Sequence, residues 1–290
     1  MYRARLLLLL ILFPSMKAMP NEDPFTTQVY KTIGNQELEV DIFTPSFTQK
    51  NDAPAPALML IHGGGWVFGD RSEFHAVAEH YARLGLVTFC FEYRLSINPD
   101  GSFPRPGVSP IESVKDVRSG VRWIREHADT FRVNPDRIAV AGQSAGGQLA
   151  LATELMEGID ETTDNLDISP EPQVIILLSS CVNTMEVWID NLLADRRKEI
   201  WDISPFHRAR PGMPPILAFH GDADTTVPFF TVRFFRKRMR ELNNPFTLIT
   251  LEGRDHYLGG DRDGKYAGYL DDMILLEMDS FLKQQGFIRK

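Results

Sequence analysis

The sequence predicts an α/β fold, a mostly parallel eight-stranded sheet with helices on both faces. Three observations carry that prediction. Six runs are apolar at nearly every position, as in strands covered on both faces. Two earlier segments alternate apolar and polar residues, the pattern of antiparallel strands with one wet face. Helical patterns separate the later runs, so strand and helix alternate along the chain.

The elements follow in order. "TQVYKT" and "ELEVDIF" meet at Gly34-Asn35, a turn pair suited to a hairpin. A polar, proline-bearing connection from Asn51 to Pro56 leads into "ALMLIH". A helix over Ser72–Leu84 precedes "LVTFCFEY", and a helix over Glu112–Ala128 precedes "RIAVAG". A helix over Ala145–Met156 then leads to "PQVIILLSS" and, after an insertion, to "PPILAFHG". A helix over Phe229–Leu242, the run "FTLITLEG" and a helix over Tyr266–Gln285 complete the series. Right-handed crossovers between parallel strands set the functional loops at the C-terminal ends of the strands. Cys90 and Cys181 fall in expected core strands and read as buried apolar fillers.

Composition narrows the function. Apolar residues make up 43% and charged residues 24%, ordinary for a globular chain. Arg3 and Arg5 precede an apolar run from Leu6 to Phe13, and small or polar residues follow. That layout is a secretory signal over residues 1–18, with a cut expected after Ala18. The run is far short of the roughly 20 residues that span a bilayer. A secreted or periplasmic location follows, with one catalytic domain over residues 19–290. Removing the leader takes away Arg3, Arg5 and Lys17 but no acid, so a net charge of −8 becomes −11. A chain this acidic offers no footprint for nucleic acid or for stable association with an anionic membrane, and it disfavours a polyanionic substrate. Oligomeric state is not legible.

The chemistry centres on "AVAGQSAGGQLAL", where an apolar run hands over to a small-residue helix with Ser144 between glycines. A sharp strand-to-helix turn strains the serine, brings neighbouring chains too close for side chains at Gly142 and Gly146, and lifts the hydroxyl above the sheet. A serine hydroxyl is a weak nucleophile at neutral pH and needs a base, itself oriented by an acid. His256 follows the last strand, and the strand before it ends near two carboxylates, Asp222 and Asp224. In "IHGGGWVFGD", Gly63 to Gly65 supply N–H donors unobstructed by side chains, and Ala145 supplies another from the helix N-terminus. His62 reads as an anchor for this loop. His75 and His80 lie five apart on one helix and make a poor metal pair. "DRDGK" from Asp261 lacks the ligand pattern of a calcium loop.

In "HGGGW", Glu92-Tyr93-Arg94-Leu95, "NPDRIAVAGQSAGG", "SPFHRARPGMPP" and "HGDADTTVP" the sequence resembles the α/β-hydrolase superfamily, in its hormone-sensitive-lipase-like and carbohydrate-esterase-like branch. The likeness runs from about Tyr30 to the C-terminus. It implies the α/β-hydrolase fold and ester hydrolysis through an acyl-enzyme, with Ser144 as nucleophile, His256 as base and Asp224 rather than Asp222 as acid. It assigns the oxyanion donors to the glycine loop, with Gly64 and Gly65 as the expected pair, and to Ala145. No metal or cofactor is required. Only residues 19–26 precede the first strand, too few for the helical cap of the capped enzymes, and Gln143 stands where those place Asp. Both departures point to secreted esterases acting on acetyl, other short acyl or feruloyl esters of carbohydrate. A general short-chain carboxylesterase and a serine peptidase or amidase are the enzymatic alternatives on the same fold, and a catalytically dead binding protein of cholinesterase-like descent is the non-enzymatic one. Residues 182–212 form an insertion that either docks on the core or makes a small lid, with Trp188 on a helical stripe. Trp66 is expected beneath the glycine loop in preference to substrate contact, and Tyr257 at the entrance.

Overall fold

A computed structural model describes residues 24–45, 53–185, 189, 192–258 and 271–289. The expected leader, the "DRDGK" loop and Trp188 lie outside the described residues. The eight strands are β1 (Thr26–Ile33), β2 (Gln36–Phe43), β3 (Ala55–Ile61), β4 (Val87–Phe91), β5 (Val133–Gln143), β6 (Val174–Leu178), β7 (Ile216–Gly221) and β8 (Phe246–Leu251). Five longer helices are α1 (His75–Arg83), α2 (Pro110–Glu126), α3 (Ala145–Leu155), α4 (Phe229–Glu241) and α5 (Asp272–Gln284).

The strand order is β1-β2-β4-β3-β5-β6-β7-β8. β1 pairs with β2 and β2 with β4 antiparallel; every other pairing is parallel. The fold is therefore the expected one. Side chains alternate across the sheet as the strand period of two requires. Met59 and Ile61 face the core shared with α2, α3 and α4, whereas Leu58 and Leu60 face the core shared with α1 and α5. Phe89, Phe91 and Phe219 are fully buried, each worth roughly 1.5–3 kcal/mol over exposure. "FTLITLEG" departs from the expectation of a strand covered on both faces. β8 is an edge strand in which Leu251 alone is buried.

Helix ends follow their capping residues. Ser109 and Glu112 form a capping box with Pro110 at the first helical position, so α2 starts two residues earlier than expected. Asp70 and Glu73 form a second capping box, and the helix expected from Ser72 opens there as a 3₁₀ turn, Arg71–Phe74, ahead of α1. Cys90 lies in β4 as expected. Cys181 does not lie in a strand: β6 ends at Leu178, and the thiol is buried three residues beyond it.

Register places the functional loops. Ile61 of β3 pairs with Gly142 of β5, so the chain leaving β3 runs beside the strand-to-helix turn. Gly221 of β7 pairs with Leu251 of β8, so the loops after those strands are neighbours too. The insertion docks on the core through Ile189, Leu192, Leu193, Ile200 and Ile203. Arg196 anchors it to α2 through Glu112 at 2.7 Å. Among the described residues no helix is long and apolar enough to cross a membrane.

Candidate active site

Ser144 stands alone between β5 and α3, at φ 53° and ψ −117°. A non-glycine residue in such a region costs on the order of 1–3 kcal/mol and persists only where its surroundings impose it. The surroundings are tight. A Cβ on Gly142 would overlap Gly146 O, one on Gly146 would overlap the carbonyls of Ile61 and His62, and one on Gly147 would overlap Ser180 Oγ. The glycines are demanded by space. Ser144 N donates to Leu178 O at 2.9 Å, and Ser144 O accepts from Cys181 N at 3.0 Å. The end of β6 and the chain just beyond it thus hold the turn from both sides.

The other two chemical groups arrive from the β7 and β8 loops. His256 Nε2 lies 2.9 Å from Ser144 Oγ, and its Nδ1 lies 2.8 Å from Asp224 Oδ2. A carboxylate only accepts, so Nδ1 carries the proton and Nε2 turns its lone pair to the hydroxyl. Asp224 Oδ1 accepts from the amides of Thr226 at 2.9 Å and Val227 at 2.8 Å. Burial opposes ionisation of Asp224, but the imidazoles of His220 and His256 and the Val227 amide outweigh it. They hold the carboxyl well below the usual carboxylate range. Asp222 instead accepts from Gly253 N at 2.7 Å and leaves His256 to Asp224.

The glycine loop closes the third side. A Cβ on Gly63 would lie 3.4 Å from Ser144 Cβ, which measures how closely the loop approaches the turn. Gly64, Gly65 and Trp66 have positive φ of 98°, 60° and 61°. Among the described residues the amides of Gly64, Gly65 and Ala145 donate to no backbone carbonyl, and all three residues line the cavity that Ser144 lines. His62 anchors the loop as expected. Its Nδ1 donates to Gly63 O at 2.9 Å, its ring stacks on Tyr93 at 4.3 Å, and Tyr93 Oη donates to Gly63 O at 2.8 Å. Burial lowers the His62 pKa to about 4, against the raising effect of the Gly63 carbonyl. Trp66 is fully buried, and its Nε1 donates to Gln148 Oε1 at 3.2 Å. Gln148 Nε2 in turn donates to Ile203 O at 2.8 Å, so one buried amide ties the glycine loop to the insertion.

A cavity of about 420 Å³ opens over these groups. Its wall is mostly apolar: Val67, Phe68, Leu192, Val227 and Tyr257 line it, with Cys181 beside the serine. Phe68 and Tyr257 are exposed, and the ring of Tyr257 stands edge-on to His256 at 5.6 Å. Leu192 joins both the core and the wall, so the insertion docks and lines the cavity at once. Among the described residues one carboxylate lines it, Glu73, whose Oε1 accepts from the Asp70 amide at 3.1 Å. Burial, ahead of the nearby Asp70 charge, raises the Glu73 pKa and outweighs the lowering bond from the Asp70 amide. Phe68, Glu73 and Thr226 escaped the sequence reading, because no motif marks residues that meet a cavity only through the fold. Cys181 was misplaced for the same reason.

Comparison with known proteins places the chain among α/β-hydrolase esterases. The BD-FAE family model matches residues 40–239. Esterase LipC of Mycobacterium tuberculosis is 31% identical over 236 residues, covering 74% of this chain and 56% of that protein. The chain thus spans about half the length of the curated relatives it matches. Among solved structures, esterase 2 of Thermogutta terrifontis phosphoramylated by tabun is 30% identical with a TM-score of 0.82, over 93% of this chain and 98% of that one. The butyrate-bound form of that esterase superposes with a TM-score of 0.81 at 30% identity, over 92% and 96%.

Proposed function

The chain belongs to the BD-FAE family of the α/β-hydrolase superfamily, and from that membership we propose a serine ester hydrolase working through Ser144, His256 and Asp224. One observation carries the reading: a single imidazole bridges the Ser144 hydroxyl at 2.9 Å and the Asp224 carboxylate at 2.8 Å. His256 takes the Ser144 proton as Oγ attacks the ester carbonyl, then protonates the departing alkoxide. Asp224 fixes the tautomer and stabilises the imidazolium. The amides of Gly64, Gly65 and Ala145 bind the developing oxyanion, each worth roughly 3–4 kcal/mol by the cost of removing one such donor. Water then repeats the attack on the acyl-enzyme.

The substrate is an acetyl, other short acyl or feruloyl ester of a carbohydrate. The cavity accepts an acyl chain against Leu192 and Val227, while Glu73 offers an acceptor for a hydroxyl of the alcohol moiety beside the exposed rings of Phe68 and Tyr257. Such rings suit the apolar face of a sugar. The charge of the chain favours a neutral polymer, and the leader directs export. The propionate- and butyrate-bound forms of the Thermogutta esterase favour a second reading, a general short-chain carboxylesterase. Release assays on acetylated xylan, feruloylated oligosaccharide and p-nitrophenyl acyl esters separate the two. Activity confined to the synthetic esters removes the carbohydrate reading. A fluorophosphonate probe labels the wild type and not Ser144→Ala; labelling of the variant removes the serine mechanism.

A further inference from the structure

His220, at the end of β7, belongs to none of the steps above, yet it is fully buried against the acid. Its Nε2 donates to Val227 O at 2.8 Å and lies 3.1 Å from Asp224 Oδ2. A backbone carbonyl only accepts, so Nε2 carries the proton. Its Nδ1 has no hydrogen-bond partner among the described residues. A buried ring that leaves one nitrogen unpaired carries a desolvation cost that a purely apolar side chain of similar size avoids. A role for the other nitrogen explains why a histidine stands there.

The geometry points to His220 as a positioning residue for the acid, an inference that rests on the catalytic reading of Ser144, His256 and Asp224. His220 closes a small ring of contacts. Its Nε2–H holds the carbonyl of Val227, while the amide of the same Val227 donates to Asp224 Oδ1. The turn that presents two amides to one carboxylate oxygen is therefore braced from β7, and the same imidazole edge sits against the other oxygen. Among the described residues the titratable groups facing Asp224 are His220 from β7 and His256 from the loop after β8. The ring of Phe229, at the start of α4, packs 6.0 Å from the His220 ring and holds no charge.

Two consequences follow for the reaction. Loss of the brace lets Asp224 move relative to His256, so the imidazole spends less time aligned with Ser144 and kcat falls. Loss of a donor edge leaves the carboxylate more electron-rich, so the protonated form of His256 is favoured and the acid limb of kcat/KM moves to higher pH. KM changes little, because neither group touches the bound ester.

The test compares His220→Leu, which removes the donor, with His220→Gln, whose side-chain amide keeps one. kcat, KM and the pH profile on p-nitrophenyl acetate are measured beside thermal midpoints, with Ser144→Ala as reference. His220→Leu is expected to lose about 10- to 100-fold in kcat, by analogy with the loss on removing the hydrogen-bond partner that orients a metal-ligating histidine. Its acid limb should rise, and His220→Gln should recover most of both. A folded His220→Leu with wild-type kcat and pH profile overturns the inference, as does a lowered thermal midpoint with kcat intact. Should His220→Leu fail to fold, His220→Gln and His220→Asn decide: the longer amide reaches Val227 O and the shorter does not, so equal kcat overturns it. An active Ser144→Ala would instead show that the catalytic reading itself fails.

Discussion

Two buried polar regions use charge in opposite ways. Beneath α2, Asp116 is fully buried and accepts from Lys31 Nζ at 2.7 Å, from Arg94 Nη2 at 2.7 Å and from Arg94 N at 2.9 Å. Glu161 joins the same two cations, and Asp160 binds both Arg118 and Arg122 at 2.8 Å. Each charge there is met by an opposite one, and the cluster ties β1, the chain after β4, α2 and the loop before β6 together. At the catalytic edge, charge is sparse and directed. One carboxylate holds one imidazole, and that imidazole faces a hydroxyl on a strained residue beside a cavity. Saturated charge fixes chain segments in place; an imidazole with one nitrogen turned to a cavity can move a proton. Burial alone therefore does not mark a reactive group.

His–carboxylate pairs elsewhere sharpen the lesson. His75 Nε2 meets Asp41 Oδ2 at 2.8 Å, but Arg71 shares that oxygen, and the group stands away from the cavity. His80 pairs with Asp279 and links α1 to α5. Neither presents its free edge to a nucleophile.

The contrast can be broken by substitution. The largest effect is expected from Ser144→Ala: kcat should fall by about 10⁶-fold, as when the nucleophile of a serine hydrolase is removed. Its thermal midpoint should hold or rise, because the strained turn loses no packing. Next comes Asp224→Asn, expected to cost about 10⁴-fold in kcat through the wrong imidazole tautomer. Because Asp224 is held below the usual carboxylate range, the wild-type acid limb should report protonation of the imidazole it holds and should move to lower pH in an active Asp224→Asn; a limb that stays in place would contradict this. On the other side, Asp116→Ala should destabilise by about 3–5 kcal/mol, since it removes the fully buried partner of two cations and leaves them only the less buried Glu161, while kcat at a permissive temperature stays near wild type. Denaturant unfolding and initial rates measure the pair. A large loss of kcat without a loss of stability would erase the division between the two regions.

The smallest effect concerns Glu154, near the C-terminal end of the helix that Ser144 precedes. Burial raises its pKa to about 7 against the pull of Arg210, with Glu171 adding to the rise. The sign follows directly. Between the ordinary carboxyl value and about 7 the unfolded chain gives up this proton while the folded chain keeps it, so stability falls as pH rises through that window. Glu154→Gln should flatten the slope and leave the variant relatively more stable at pH 8, read from urea midpoints at pH 5 and pH 8. An unchanged slope would remove Glu154 as its source.

Much of this was legible before any coordinates. The alternating hairpin, the apolar runs and the glycine-flanked serine locate eight strands and the strained turn at Ser144, because strand burial and tight turns leave local marks in composition. The two carboxylates after β7 were separable by resemblance alone; geometry separates them physically, since Asp224 meets His256 and Asp222 meets Gly253 N. Arg94 was visible as part of a recurring motif, but its partner Asp116 lies 22 residues away, and nothing local announces the pair. The exposed face of β8 was missed because a strand's own residues do not report whether a neighbour lies beyond it.

By itself the sequence determined which chemical groups exist and the order in which the chain presents them, since backbone strain, glycine spacing and hydrophobic period act over a few residues. Tertiary structure alone decided which groups touch. The parallel register that pairs Ile61 with Gly142 and Gly221 with Leu251, the bond from Gln148 to the insertion, the brace of His220 on Val227 and the cavity that Glu73 edges all join segments distant in the chain. Such contacts arise only when several elements pack at once, and no short stretch of residues encodes them.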